Sequence, residues 1–251
     1  MSVGEAERLR IRVGETVGQV SALLTRPRAP WLGYVLAHGA GAGMEHPFLE
    51  AVARGLAERE VATLRYQFPY MEARARRPDP PGVLTATVRA AVAAAAALLP
   101  ELPLAAGGKS LGGRMTSTAA ATEPLAGVRG LVFLGFPLHA PSLPGTTRAE
   151  HLTRVAVPML FLQGTRDAFA RRDLLEPVVR GLGPRATLHL VEGADHSFGV
   201  VKRSGRSPAE VLAELLATTV DWARATMLAT EGTAAAPAAP GVGASGGKRR
   251  L

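Results

Sequence analysis

The stretch "LAAGGKSLGGRM", Leu104 to Met115, places one serine, Ser110, between two pairs of glycines and directly after an apolar run. Glycine loses more backbone freedom on folding than any other residue, so this concentration indicates a sharp turn or a close approach of the backbone. The apolar residues before Ser110 predict a buried strand, and "LGGRMTSTAAAT" after it predicts a helix that ends before Pro124. The stretch therefore predicts a strand, a tight turn at Ser110 and a helix.

The rest of the chain alternates strand-like and helix-like patterns. "RLRIRV" and "VGQVSALL" flank a short turn and predict an antiparallel hairpin near the N-terminus. The apolar runs "WLGYVLAHG", "VATLRY", "VRGLVFLGF", "VPMLFLQG" and "ATLHLVEG" predict further buried strands, with helical segments between most of them. This alternation favours an α/β fold, in which a mostly parallel sheet has helices on both faces. In such sheets, reactive groups lie at the carboxyl ends of the strands.

The composition fits one domain over residues 1–228, followed by a low-complexity tail over 229–251. The tail has few large apolar residues to bury, so we expect it to be disordered. Met1 to Val13 carries acidic residues and lacks the apolar stretch of a secretory signal. The longest apolar run, Ala90 to Leu99, is about half as long as a membrane span. We therefore expect a cytoplasmic protein with no membrane partner.

The formal net charge of +8 raises the question of a nucleic-acid partner. The basic residues are spread along the chain, and aromatic residues, only 5% of the total, do not interleave with them in a basic stripe. We therefore expect no nucleic-acid partner. The chain has no cysteine, which excludes disulfides and a cysteine nucleophile. The sequence leaves the oligomeric state open.

The five residues from Gly108 to Gly112 form the motif G-x-S-x-G. This motif is typical of a nucleophile elbow when it joins a strand to a helix, because the turn holds the serine hydroxyl exposed at the edge of the sheet. The predicted strand and helix on either side of Ser110 supply that context. Ser110 is therefore the candidate nucleophile.

Two further polar side chains follow the last two predicted strands. His196, in "VEGADHSF", follows the last strand, and Asp167, in "LQGTRDAF", follows the strand before it. A serine nucleophile needs a base and a group that orients the base, and the order serine, aspartate, histidine is that of α/β-hydrolases. We expect Ser110, Asp167 and His196 to form a catalytic triad. The alternative acids are Asp195, which is adjacent to His196, and Asp173, which is placed to cap the next helix.

The glycine-rich segment "AHGAGAGM" follows the predicted strand "WLGYVL". Backbone amides in such a loop can donate to a developing oxyanion, together with the amide that follows the nucleophile. We expect the amides of Ala40 and Leu111 to form this oxyanion hole and His38 to be a structural donor. The alternative is a plain connecting loop.

Apolar side chains near the predicted strand ends and in the loop 67–82 are candidates to line a substrate pocket. They are Tyr70, Met71, Phe136, Phe169 and Phe198. Arg114 lies one helical turn after the serine, where it either binds a substrate carboxylate or forms a structural ion pair. His38, Glu45 and His46 lack the spacing of a metal site, and no glycine-rich nucleotide motif follows a strand. We therefore expect no metal and no cofactor.

Four segments together resemble one known family: "LAHGAGAGMEHPF", "RYQFPYME", "GGKSLGGRM" and "DHSFGVVKRSGRS". They resemble the α/β-hydrolase superfamily, and more narrowly a dienelactone hydrolase-like branch related to the third regulatory subunit of the NSL chromatin complex. The resemblance covers roughly Leu32 to Arg224 and implies a Ser-Asp-His hydrolase. Dienelactone hydrolase itself uses a cysteine where this chain has Ser110, so its substrate is not implied here.

These observations predict a carboxylesterase-like serine hydrolase whose partner is a small-molecule ester or thioester. The reaction is expected to pass through an acyl-enzyme intermediate. Residues 137–157 join two predicted strands and are too few for a multi-helix cap, so small to medium soluble substrates are expected rather than long-chain lipids. The alternative is a non-catalytic interaction scaffold that keeps the same fold.

Overall fold

One eight-stranded sheet forms the centre of the molecule in the computed structural model, which describes residues 5–228. The strands are β1 (Glu7–Gly14), β2 (Gly18–Thr25), β3 (Leu32–Ala37), β4 (Val61–Tyr66), β5 (Leu104–Lys109), β6 (Val128–Leu134), β7 (Met159–Gly164) and β8 (Ala186–Val191). They lie side by side in the order β1-β2-β4-β3-β5-β6-β7-β8. The predicted tail, 229–251, lies outside the described residues.

The sheet is antiparallel at one edge and parallel elsewhere. β1 pairs antiparallel with β2, and β2 pairs antiparallel with β4. From β4 to β8, every neighbouring pair of strands is parallel. β3, β4 and β7 are buried at every position, as expected for parallel strands that are covered on both faces. The predicted α/β fold with an N-terminal antiparallel hairpin is confirmed.

The described α-helices are α1 (Pro47–Ala57), α2 (Pro69–Glu72), α3 (Pro81–Leu98), α4 (Leu111–Thr122), α5 (Arg172–Gly181) and α6 (Pro208–Ala223). Shorter 3₁₀ segments cover Thr147–Arg154, Gly183–Arg185 and Lys202–Ser204, and a π turn covers Arg224–Leu228. α2 and the 3₁₀ helix Thr147–Arg154 were not predicted, because both lie in proline- and arginine-rich segments that favoured loops. Glu72, at the end of α2, accepts a hydrogen bond from the amide of Ser21 at 3.0 Å, which fixes α2 against β2.

The helices cover both faces of the sheet. Side chains alternate along β3, so that Val35 packs in a core with α3, α4 and α5, whereas Leu36 packs in a second core with α1 and α6. By length and composition alone, α3 could cross a membrane. Its residues Leu84, Val88 and Ala91 are buried in the first core, as in the core helix of a folded domain.

The connection from β6 to β7 leaves the sheet at its carboxyl edge, where β6 ends. Among the described residues it contains one 3₁₀ helix, Thr147–Arg154, and no α-helix. The fold therefore has no multi-helix cap at this position, which agrees with the expectation from the length of the segment.

Candidate active site

Ser110 stands at the turn between β5 and α4, in a backbone conformation that serine rarely adopts. Its φ is 49° and its ψ is −115°, and α4 begins at the next residue, Leu111. A side chain at Gly108 would lie 2.2 Å from the carbonyl oxygen of Ala37, and one at Gly112 would lie 2.6 Å from that of His38. Both positions therefore need glycine, because the turn passes against the end of β3. A strained conformation of this kind costs about 1–3 kcal/mol and persists only where the surroundings impose it.

The structure brings the three predicted side chains into one chain of hydrogen bonds. His196 Nε2 lies 2.9 Å from Ser110 Oγ, and His196 Nδ1 lies 2.7 Å from Asp167 Oδ2. A carboxylate only accepts, so Nδ1 donates to Asp167 and Nε2 is left to accept the serine proton. Each residue follows a strand, β5, β7 or β8, because the carboxyl ends of parallel strands meet at one edge.

Asp167 is buried, with 4% of its surface exposed, and two further donors hold its carboxylate. The amide of Phe169 donates to Oδ1 at 2.7 Å, and the side-chain amide of Gln163 donates to Oδ2. Gln163 also accepts from the amide of Phe136 at 2.9 Å. Sequence reasoning missed Gln163; the available signal was a single polar side chain within the apolar strand β7.

The two alternative acids have other partners. Asp195 Oδ1 accepts from the amides of Ser197 at 2.8 Å and Gly199 at 2.9 Å, so it organises the loop that carries His196. Asp173 is exposed in the first turn of α5 and pairs with Arg171. Of these carboxylates, Asp167 is the one that accepts a hydrogen bond from the imidazole of His196.

The loop after β3, residues 38–46, is held in place by contacts with the end of β4. His38 is fully buried; its Nδ1 donates to the carbonyl oxygen of Gly39 at 2.8 Å and its Nε2 accepts from the amide of Phe68 at 3.0 Å. Burial lowers the pKa of His38 to about 4, so this imidazole is neutral. The amide of Met44 donates to the side chain of Gln67 at 2.8 Å. The loop is therefore a pre-arranged backbone segment beside Ser110.

The two amides expected to form an oxyanion hole belong to the residue that follows Ser110 and to a residue of the loop after β3. Leu111 is the first residue of α4, and a first-turn amide has no acceptor within its own helix. Ala40 is exposed and lines a cavity beside Ser110. Within residues 5–228, neither amide donates a hydrogen bond to a protein acceptor.

That cavity has a volume of about 190 Å³ and lies between the loop after β3 and the loop that carries His196. Its walls include Ala40, His46, Phe48, Lys109, Ser110 and His196. The start of α1 thus supplies part of the wall, which sequence reasoning missed. The available signal was "EHPF", directly after the glycine-rich loop.

The five side chains predicted to line a pocket are not among the residues that line this cavity. Phe136 is in the core, with its ring centroid 5.4 Å from that of Phe133, and Tyr70 and Met71 pack in the same core. Phe169 lies against the His196 ring at 4.4 Å, and Phe198 lines a neighbouring apolar groove between α1 and α6. For Phe136 and Tyr70, the difference arises because a large ring gains more from burial in the core than from the rim of a small cavity.

A second serine–histidine pair lies deeper in the fold. Ser117 Oγ is 2.7 Å from His151 Nε2, but Ser117 is fully buried in α4 and its hydroxyl also bonds the carbonyl oxygen of Arg114. Burial, and then the charges of Arg114 and Arg154, lower the pKa of His151 to about 4. Because this hydroxyl is enclosed, whereas Ser110 lines a cavity, we interpret the pair as a packing contact between α4 and the 3₁₀ helix.

Arg114 has no ion-pair partner within residues 5–228, and its buried Nε has no hydrogen-bond acceptor there. Burial, followed by the charge of Arg148, lowers the pKa of its guanidinium. Of the two alternatives for Arg114, the structural ion pair is therefore not formed in the described part of the chain. That part also holds no group of three or more side chains placed to bind a metal.

Comparisons with known proteins agree with the fold. Dienelactone hydrolase from Anabaena variabilis is 21% identical, with a TM-score of 0.71 over 90% of this chain and 99% of that one. A serine hydrolase without a lid from Xanthomonas campestris is 19% identical, with a TM-score of 0.69 over 88% and 97%. The esterase domain of a Rhodothermus marinus protein is 16% identical, with a TM-score of 0.67 over 88% and 99%. At these identities, the likeness concerns the fold.

The sequence comparison is more specific. Residues 32–224, which make up most of the chain, match the family described as alpha/beta hydrolase domain. The chain therefore belongs to the alpha/beta hydrolase domain family.

Proposed function

We propose that this protein is a serine hydrolase that cleaves carboxylic esters or thioesters through an acyl-enzyme intermediate. The observation that carries the proposal is the continuous hydrogen-bond chain from Ser110 through His196 to Asp167, at the edge of a cavity. A nucleophile within 2.9 Å of a base, whose far nitrogen is held by a buried carboxylate, is the arrangement that activates serine.

In the acylation step, Ser110 Oγ attacks the carbonyl carbon and His196 Nε2 takes the hydroxyl proton. Asp167 keeps Nδ1 protonated and stabilises the imidazolium that forms. The new C–O bond places negative charge on the carbonyl oxygen, to which the amides of Ala40 and Leu111 donate. Loss of one such donor typically lowers the rate by about 10²–10³-fold.

The tetrahedral intermediate then expels the alcohol or thiol, which takes the proton from His196 Nε2. In the second half, His196 removes a proton from water, the hydroxide attacks the acyl-enzyme, and Ser110 leaves with that proton. The products are a carboxylic acid and an alcohol or thiol. The protein groups alone supply this proton transfer, and we propose that no cofactor takes part.

The proposed substrates have small to medium acyl groups. The cavity of about 190 Å³ is small beside the 300–1,000 Å³ of typical ligand pockets, and no multi-helix cap lies between β6 and β7 in the described chain. The narrower relation to the NSL-subunit branch rests on the four sequence segments and stays a prediction. A cytoplasmic location, a small-molecule partner, and the lack of nucleic-acid and membrane partners also stay predictions from sequence.

The test is labelling with a fluorophosphonate probe, followed by intact mass measurement and a panel of esters and thioesters. We expect the wild-type protein to gain one adduct and Ser110→Ala to gain none. Ser117→Ala is a matched control, since it removes a buried serine of α4 whose hydroxyl also contacts a histidine. This variant should label normally. Labelling of Ser110→Ala at the wild-type rate would contradict the assignment. No reaction of the wild-type protein with any probe or ester would favour the scaffold alternative.

A further inference from the structure

The side chain of Lys109 joins the turn that carries Ser110 to the loop that carries His196. Lys109 is the last residue of β5, and its Nζ donates to the backbone carbonyl oxygen of His196 at 2.6 Å. The same Nζ lies 5.6 Å from the centroid of the Phe198 ring, on its face. One ammonium group thus contacts two residues of the histidine loop, which we define as residues 194–199.

The side chain of Lys109 can follow this path because Gly135, directly after β6, has no side chain of its own. A Cβ at Gly135 would lie 3.1 Å from Lys109 Nζ and 3.5 Å from His196 Nδ1. The ammonium and the imidazole therefore border the same small space, next to the nitrogen that bonds Asp167. Gly135 also has a φ of 72°, which glycine adopts without strain.

Other contacts of the histidine loop do not reach the serine turn. Asp195 accepts hydrogen bonds from amides within the loop. The amide of Arg166, just after β7, donates to the carbonyl oxygen of Ala194 at 2.9 Å. In the part of the chain that the structure describes, hydrogen bonds between residues 108–112 and the histidine loop come from Lys109 Nζ and from Ser110 Oγ. Without Lys109, the hydroxyl–imidazole bond would be the remaining hydrogen bond between these two described segments.

The loop also holds a strained residue at the point that Lys109 contacts. Phe198 has a φ of 62°, which is unfavourable for a bulky side chain. Its ring is stacked on Phe48 at 5.7 Å on one side and meets the Lys109 ammonium. Such a conformation persists only where surrounding contacts impose it, and Lys109 is one of these contacts.

We propose that Lys109 is a positioning residue, which fixes the histidine loop against the serine turn. This inference rests on the proposed hydrolase activity. The charged groups that face Lys109 are Asp167 and Asp195.

Kinetics provide the first test of the tether. Lys109→Met removes both the tether and the charge, and we expect kcat to fall by about 10- to 100-fold, since a misplacement of about 1 Å can cost about 10²-fold. KM should change much less. A raised KM with kcat intact would overturn the proposal and make Lys109 a substrate contact.

Two further variants control for charge and folding. Lys202→Met removes the same charge from an exposed 3₁₀ segment near the loop, and its kcat should match that of the wild type. Lys109→Arg keeps both donor and charge and should recover most of the lost kcat. Burial lowers the pKa of Lys109 to about 8, against the opposing effect of Asp167 and Asp195. A wild-type change in kcat/KM near pH 8 should therefore be absent in Lys109→Arg, whose charge does not titrate there.

A readout without catalysis keeps this inference separate from the proposed function. Amide hydrogen exchange over residues 194–199 should be faster in Lys109→Met than in Lys202→Met. If the wild-type protein does not react with the probe, the proposed function fails. The exchange result still decides whether Lys109 holds the histidine loop in place. If Lys109→Met matches Lys202→Met in kcat and in exchange, Lys109 is not a positioning residue.

Discussion

At the residue scale, hydrogen bonds give the two aspartates near His196 different tasks. Asp167 holds His196 Nδ1 at 2.7 Å, whereas Asp195 accepts two amides of its own loop. The adjacent residue therefore shapes the loop, and a residue distant in sequence orients the imidazole. The side chain of Asp195 starts from the backbone directly next to His196. Its carboxylate therefore cannot readily reach Nδ1 on the far side of the imidazole ring.

We expect Asp167→Asn to lower kcat by about 10⁴-fold, because an amide at this position favours the wrong tautomer of the imidazole. Asp195→Asn should cost far less, since the amide oxygen of asparagine can still accept from Ser197 and Gly199. The measurement is kcat of both variants on one activated ester. The reverse ranking would assign the orienting carboxylate to Asp195.

At the element scale, the packing of α4 against β3 shapes the site. The helix begins directly at the nucleophile, and its first turn passes so close to the end of β3 that Gly112 has no room for a side chain. The atoms in the way, at 2.6 Å and 2.7 Å, include the backbone oxygens of His38 and Ala37. Backbone atoms yield less readily than the end of a flexible side chain, so the sheet or the helix must move to admit a methyl group.

We predict that Gly112→Ala lowers the free energy of unfolding by about 1–3 kcal/mol and reduces activity, because overpacking displaces Ser110. Gly82→Ala is the matched control, since a side chain at Gly82, in the first turn of α3, would meet nothing within 4 Å. That change should be neutral or stabilising by about 0.4–1 kcal/mol. Urea unfolding and kcat of the two variants provide the check; equal effects would show that the close approach is not needed.

The connection between β6 and β7, which carries no multi-helix cap in the described chain, leads to a second prediction at this scale. With one 3₁₀ helix in the described connection and a cavity of about 190 Å³, a long acyl chain has little covered apolar surface to occupy. We expect kcat/KM for aryl esters to be highest with short or medium acyl groups. A value that keeps rising from the acetyl to the dodecanoyl ester would contradict this and indicate an acyl-binding groove.

At the scale of the whole molecule, buried histidines couple stability to pH. Burial lowers the pKa of His38 to about 4, and burial with Arg114 and Arg154 lowers that of His151 to about 4. In the unfolded chain, both titrate near the ordinary value of about 6.5. Between about pH 6.5 and pH 4, the unfolded chain therefore binds protons that the native protein does not.

We predict that the free energy of unfolding falls as the pH is lowered from 6.5 to 4. The slope approaches about 1.4 kcal/mol per pH unit for His38, and it is smaller for His151, which is partly exposed to solvent. Urea unfolding at pH 7, 5.5 and 4.5 measures the fall, and His151→Gln should reduce it. An unchanged pH dependence in that variant would show that His151 is not held neutral by the fold.

By itself, the sequence determined the class of the fold and the candidate residues. Apolar runs that alternate with helical patterns specify a parallel sheet, because both of its faces must be covered. The motif around Ser110 predicted a turn between a strand and a helix, and Asp167 and His196 could be singled out because each follows a predicted strand. Each of these signals depends on residues that are close together in the sequence, so it can be recognised without the tertiary structure.

Only the tertiary structure decided the distances and the partners. The contacts of Gln163 with Asp167 and of Lys109 with His196 join residues whose relation no spacing in the sequence reveals, although each stands at or near a strand end. Likewise, Phe136 and Phe169 both follow strands, yet one packs in the core and the other against the imidazole of His196. Which side chain fills which space depends on how β5, β7 and β8 lie side by side, and that order arises from packing across the whole sheet.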